Sequence, residues 1–149
     1  MIAEATVYKL LCSDERLHAL MDKIRGGAFG NGFKQGIFTY AIPENPVNII
    51  KKELSPFVRI NPNYDTPAYY ADDKPIATEY RVTINYWCET AKQSDEIAKL
   101  MDDILSKGGF ERYTANEKPR YKDGDIDLLM NTRKYRFFDW STTKENEDE

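Results

Sequence analysis

Hydrophobic and polar positions alternate most regularly between Thr78 and Cys88. Thr78, Tyr80, Val82, Ile84, Tyr86 and Cys88 fall in one phase, and Glu79, Arg81, Thr83, Asn85 and Trp87 in the other. A period of two filled by β-branched and aromatic residues predicts a strand with one dry face and one wet or contact face. The period then changes: Ile97, Leu100, Met101, Ile104 and Leu105 recur at helical spacing, which predicts an amphipathic helix. Ser94 fits its N-cap, Asp95 and Glu96 its positive start, and Gly108-Gly109 its stop. This strand–turn–helix unit, residues 77–105, is the expected centre of the fold, with Ile84 and Leu100 facing each other across it.

Upstream, Ala3, Val7, Leu10 and Leu11 share one helical face, and Leu17, Leu20, Met21 and Ile24 another. Ser13-Asp14-Glu15 between them has the chemistry of a fresh N-cap, and Gly26-Gly27 that of a terminator. Two short helices, or one bent one, are expected over 3–25. A short strand follows at 37–42, stopped by Pro43 and Pro46. Residues 47–54 fit helix or strand equally, and 56–60 read as a strand closed by Pro62. Residues 61–76 hold Pro62, Pro67 and Pro75 with Tyr64, Tyr69 and Tyr70. They are expected to form a long, mobile connection that orders on contact, the alternative being an extended hairpin with a solvated tip. After the central helix, 110–113 and 118–122 read as extended, Asp123-Gly124 as a turn, and 126–140 as a final strand. That strand has apolar residues in both phases, Leu128-Leu129-Met130 and Phe137-Phe138, which implies a bulge or a two-sided contact. The expected class is therefore α+β: a mostly antiparallel sheet of four to five strands, an N-terminal helical segment, and a central amphipathic helix packed on one face.

With 149 residues, the chain accommodates a single α+β domain over 1–140 that buries a real core. Residues 141–149 are polar and acidic, with the composition of a disordered tail. No apolar run approaches a membrane span, and Glu4 in a start without a basic region before an apolar one argues against a signal peptide. A net charge of −4 disfavours nonspecific nucleic-acid binding as the main task. Cys12 and Cys88 lie in apolar-periodic positions and read as small buried hydrophobes rather than a disulfide.

Candidate chemistry is sparse. The stretch GGAFGNGFKQG, residues 26–36, lacks the Gly-Lys-Ser/Thr of a phosphate loop and the third glycine of a dinucleotide turn, so a flexible loop is expected. Asp123, Asp125 and Asp127 open like a calcium loop, but Leu128 and Lys134 stand where glycine and glutamate belong. No metal and no cofactor are expected. His18 is the one histidine and reads as a half-buried helix residue, and no nucleophile motif accompanies it, so no catalytic residue is assigned. Arg133, Lys134 and Arg136 with Tyr135, Phe137 and Phe138 could form a single-strand nucleic-acid platform. The acids at 123, 125, 127 and 139 offset it, and a charged outer face or subunit contact is preferred.

The order of these features resembles one family. The helix pair VYKLLCSDERLHALMDKI, the Gly-rich loop and short strand, SPFVRIN, EYRVTINYWCE, the helix SDEIAKLMDDIL and the strand RKYRFF are similar to tail-completion, or tail-terminator, proteins of long-tailed bacteriophages, over about residues 5–140. The resemblance implies a structural protein, not an enzyme. It implies a homo-oligomeric ring, typically a hexamer, that caps the tail tube and meets the head–tail connector. Its place would be the virion tail, and the host cytoplasm during assembly; no membrane and no specific nucleic acid is an expected partner. Tyr64, Tyr69, Tyr70, Trp87, Arg133 and Arg136 are the expected interface residues, with Trp140 also suited to contacts. The alternatives are a monomeric small-ligand-binding or enzymatic α+β domain, and a head–tail adaptor.

Overall fold

The computed structural model describes residues 1–27, 36–44, 50–113 and 120–140, apart from the side chains of Tyr64 and Pro75. The expected glycine-rich loop and acidic tail therefore lie largely or wholly outside the described residues. Helices α1 (Ala3–Ser13) and α2 (Glu15–Arg25) open the chain. Strands β1 (Ile37–Thr39), β2 (Phe57–Ala71) and β3 (Lys74–Cys88) follow, then helix α3 (Ala91–Lys107), and strands β4 (Glu111–Arg112), β5 (Arg120–Asp123) and β6 (Leu128–Asp139). The class is α+β, as the patterning implies. Among the described residues the sheet has six strands in the order β1-β2-β3-β6-β4, with β5 also on β6, against the four to five expected. The extra strands are the short β4 and β5, which share the edge of β6 that β3 leaves open. The β1–β2 pair is parallel and the other described pairs are antiparallel.

The joint between α1 and α2 falls at Asp14, whose carboxylate accepts from the Arg16 amide at 2.9 Å, and Gly26 ends α2 with φ 83. Helix α3 begins earlier than its apolar stripe suggests. Thr90 caps it: its hydroxyl accepts from the Gln93 amide at 3.2 Å, and the Gln93 side chain accepts from the Thr90 amide at 3.3 Å. Ser94 is thus no cap but a buried helix residue, and Asp95 and Glu96 sit past the first turn. Gly108 and Gly109 do end the helix; at Gly109 φ is 90, and a Cβ would lie 2.8 Å from the Phe137 ring.

All three α-helices pack on one face of the sheet. Val7, Leu11, Leu17, Met21, Ile97, Met101 and Leu105 bury against Val58, Ile60, Val82, Ile84, Tyr86 and Tyr135. Leu100 is only half-buried at the rim of this layer, so Ile84 is a central core residue and Leu100 is not. A second, smaller cluster of Phe38, Ile42, Phe57, Trp87 and Leu128 lies apart from the helical core. It explains the imperfect alternation of the last strand. The register of β6 on β3 is unbroken, so Leu128 and Met130 serve the second cluster while Leu129 and Phe137 serve the helical core. The contact is two-sided, without a bulge.

Candidate functional site

The largest departure from expectation lies at 61–76. This stretch is strand, not a mobile connection: β2 and β3 pair from Phe57↔Trp87 to Ala71↔Lys74. The turn is Asp72-Asp73, with φ 52 and 63, the left-handed pair that a two-residue type I′ hairpin requires. The prolines survive because of where their missing N–H would point. Val58 donates outward to Gly36, and Ile60 accepts from Tyr40, so even positions of this arm turn their backbone groups away from β3, and Pro62 continues that series. The register shift between Pro62 and Tyr64 inserts Asn63 and changes the phase, which puts Pro67 on the same outer edge. Beyond Tyr40 no strand covers that edge among the described residues. Two prolines along it interrupt the donor row that a foreign strand would need.

The ribbon overhangs the sheet. Strand β6 pairs β3 as far as Thr78↔Asp139, so among the described residues 68–71 and 74–77 pair as strand only with each other. Tyr69 folds back onto the end of β6, its ring centroid 5.3 Å from Phe138 and 4.9 Å from Trp140. Tyr69, Tyr70 and Trp140 remain 52%, 63% and 51% exposed, an aromatic patch at one end of the molecule. Tyr64 lies in β2 opposite Arg81.

The sheet face away from the helices is mostly polar. Rungs of this face run Glu79↔Phe138, Arg81↔Arg136, Thr83↔Lys134 and Asn85↔Thr132. Asn85 accepts from Arg59 and donates to Thr132, each at 3.0 Å. Arg136 donates to Glu111 at 2.7 Å and lies 5.3 Å from the Phe138 ring centroid. Tyr113 stacks under Arg81 at 4.6 Å and accepts from Asn63 at 3.3 Å.

The remaining expected interface residues are placed differently. Trp87 is 6% exposed, packed against Phe57 at 5.3 Å, with its indole donating to Asp123 at 3.1 Å. It belongs to the chain's second cluster and is almost wholly covered there. Arg133 points to the helical side, donating to Asp102 of α3 at 2.6 Å, and the Tyr135 hydroxyl donates to the same carboxylate at 2.6 Å. Burial pushes the Tyr135 phenol up, so it stays a donor. Arg133 is therefore a strand-to-helix tie rather than an exposed contact. The structure places Tyr69 and Tyr70 at the tip of the ribbon and Arg136 on the helix-free face opposite Arg81, and sets Trp87 and Arg133 apart from both. Lys134 and Phe138, part of the basic-aromatic run that the sequence offers as an outer face or subunit contact, lie on the helix-free face, and Arg59 and Glu79, which the sequence does not single out, join them there. The odd phase of β3 was the signal available for Glu79 and, through pairing, for the others.

A cavity of about 490 Å3 opens at the far end of this face, lined by Ile42, Ile50, Phe57, Arg59, Trp87 and Asp123 among others. Elsewhere, Ser94 joins a buried network: its hydroxyl bonds Asn131, Arg120 donates to it at 3.1 Å, and its carbonyl accepts from the Tyr86 hydroxyl at 3.0 Å. Cys88 beside it is fully buried, and burial pushes its thiol up to about 11, so it is no ready nucleophile. Both cysteines are free thiols, and His18 is half-buried on α2. Among the described residues, no group of three or more His, Cys, Asp or Glu is placed to hold a metal ion, and no helix is long and apolar enough to cross a membrane. No protein-family model matches the chain, and no curated protein matches its sequence.

Proposed function

We propose that the chain is a structural subunit of a phage tail, assembling into a ring that terminates the tail tube and joins it to the head connector. The observation that carries this reading is the overhanging ribbon with its exposed Tyr69, Tyr70 and Trp140. Although Tyr69 packs on Phe138 and Trp140, much of all three exposed rings stays in water, and tyrosine and tryptophan are favoured where one protein grips another. The helix-free face gives the same subunit a second, chemically different surface, as a ring requires. The order of helices and strands along the chain, similar to that of tail-completion proteins, supports the particular class. Light scattering and negative-stain microscopy test it. The expected result is a concentration-dependent ring that caps one end of purified tail tubes; a chain that stays monomeric and leaves the tubes bare overturns the reading.

The cavity beside Trp87 favours a second reading, a small-ligand-binding domain. Its apolar walls and nearby Arg59 and Asp123 would suit a compact amphipathic molecule. Saturable quenching of Trp87 fluorescence by such a molecule, in a chain that does not assemble, would favour that reading over the ring.

A further inference from the structure

The tip of the β2–β3 ribbon and the middle of the helix-free face carry opposite charge. On the helix-free face, Lys134 has no ion-pair partner among the described residues. Arg59 has no carboxylate either; it donates to Asn85 and stacks on Trp87 at 5.2 Å. Arg81 and Arg136 stand directly opposite each other across β3 and β6, a like-charge pairing that sheets disfavour. The carboxylates facing this surface are few. Glu79 is buried between those arginines, 3.1 Å from Arg81 and 3.9 Å from Arg136, and Glu111 holds Arg136 at 2.7 Å. Asp123 is engaged by Trp87, and with Glu44 and Asp125 it lines the cavity at the far end. Among the described residues, the middle of the face, around Lys134, is left positive.

The ribbon has the complementary sign. Asp65, Asp72 and Asp73 are exposed along it, with Lys74 as counter-charge. Tyr69 spends its ring on Phe138 and Trp140, which leaves Tyr70 the most exposed tyrosine of the tip. We infer that the tip of one copy, Tyr70 with Asp72 and Asp73, seats on the helix-free face of the next copy around Lys134 and Arg59. The inference rests on the ring reading and names its contact. The two surfaces lie far apart on one chain and differ in chemistry, so the contact is head-to-tail: every copy keeps a free tip or a free face until the assembly closes. Tyr70 can stack on an arginine of the face while the aspartates meet Lys134. Attraction between tip and face steers the encounter and weakens as salt rises.

Two variants separate the halves of the contact. Asp72→Asn with Asp73→Asn removes the charge of the tip and keeps side chains that accept the turn's left-handed backbone. Lys134→Glu reverses the face at a residue that holds no internal ion pair. Each is expected to keep the wild-type melting temperature and to weaken self-association by about tenfold or more, as loss of close interfacial charge pairs does. Mixed together, they should form a one-to-one pair and nothing larger, because one supplies the only intact tip and the other the only intact face. Analytical ultracentrifugation reads all three samples. Variants that assemble as well as wild type overturn the contact while leaving the ring reading standing. A wild-type assembly that the variants break but that never caps tail tubes overturns the ring's role and keeps the contact. A wild-type chain that stays monomeric overturns both, and one that saturates as a dimer overturns the head-to-tail geometry.

Discussion

Asp127 closes the turn between β5 and β6 with φ 58, and Lys122 at 2.7 Å and Lys52 at 2.8 Å hold its carboxylate from two sides. Those hydrogen bonds lower its pKa from 3.8 to about 2. The folded-state value is depressed, so the stabilisation is fully present above the unfolded value and is lost as pH falls through about 2. Because the group is solvent-exposed, added salt should shrink the effect. An NMR titration of the Asp127 carboxyl should show a midpoint near 2, and Lys122→Ala should move it upward; an unmoved midpoint would break the assignment. Residues of this kind mark the limit of sequence reading. Leu128 and Lys134, standing where a calcium loop needs glycine and glutamate, argue against a standard calcium loop after Asp123-x-Asp125-x-Asp127, but Lys52 comes from a distant segment and could not be foreseen as a partner. Trp87 is the same case. Alternation placed it correctly off the helical face, yet its cover of Phe38, Ile42, Phe57 and Leu128 comes from separate stretches, each too short to carry a period. Arg133 was readable as a strand residue, while Asp102, its partner, belongs to another element's pattern.

At the scale of elements, periodicity performed best where one face is dry. The stripe of α3 was legible, and so was the even phase of β3. What periodicity could not rank was depth: Leu100 and Met101 look equivalent in sequence, but Met101 is fully buried and Leu100 lies at the rim. Met101→Ala should therefore cost about 2–5 kcal/mol, and Leu100→Ala clearly less, because a rim site loses less transfer energy and leaves no closed cavity. Thermal or urea melts of the two variants check the order, and equal losses would show that the helix sits differently on the sheet. The ribbon failed for a different reason. Proline was read as a strand stop, which is right for a strand with neighbours on both sides. Here, among the described residues, no strand covers the outer edge of β2 beyond Ile60, and the extra residue Asn63 brings Pro67 to the same edge as Pro62. Neither the bulge nor the edge position leaves a mark on a single strand's composition. The alternative hairpin reading was the correct one for the backbone, though Tyr69 is packed on its own β6 rather than merely solvated.

The molecule as a whole has a sheet shared by two hydrophobic clusters: a large helical one, and a small one closed by Ile42, Phe57, Trp87 and Leu128. Because β2, β3 and β6 contribute to both, melting either cluster should strip support from strands the other needs. The expectation is one cooperative transition. Leu128 is fully buried in the small cluster and Met101 in the large one, and neither side chain belongs to the other's cluster. Leu128→Ala and Met101→Ala should each lower the same melting transition. With no shared partner, their losses should add to within about 0.5 kcal/mol in the double variant. Circular dichroism in the far ultraviolet and Trp87 fluorescence should then report coincident curves for all of these proteins. If Leu128→Ala instead shifts the fluorescence curve ahead of the circular dichroism curve, the small cluster opens on its own, as a separate local unit. That outcome would overturn the single-transition account. It would also make the cavity beside Trp87 a site that opens transiently rather than a fixed wall of the sheet.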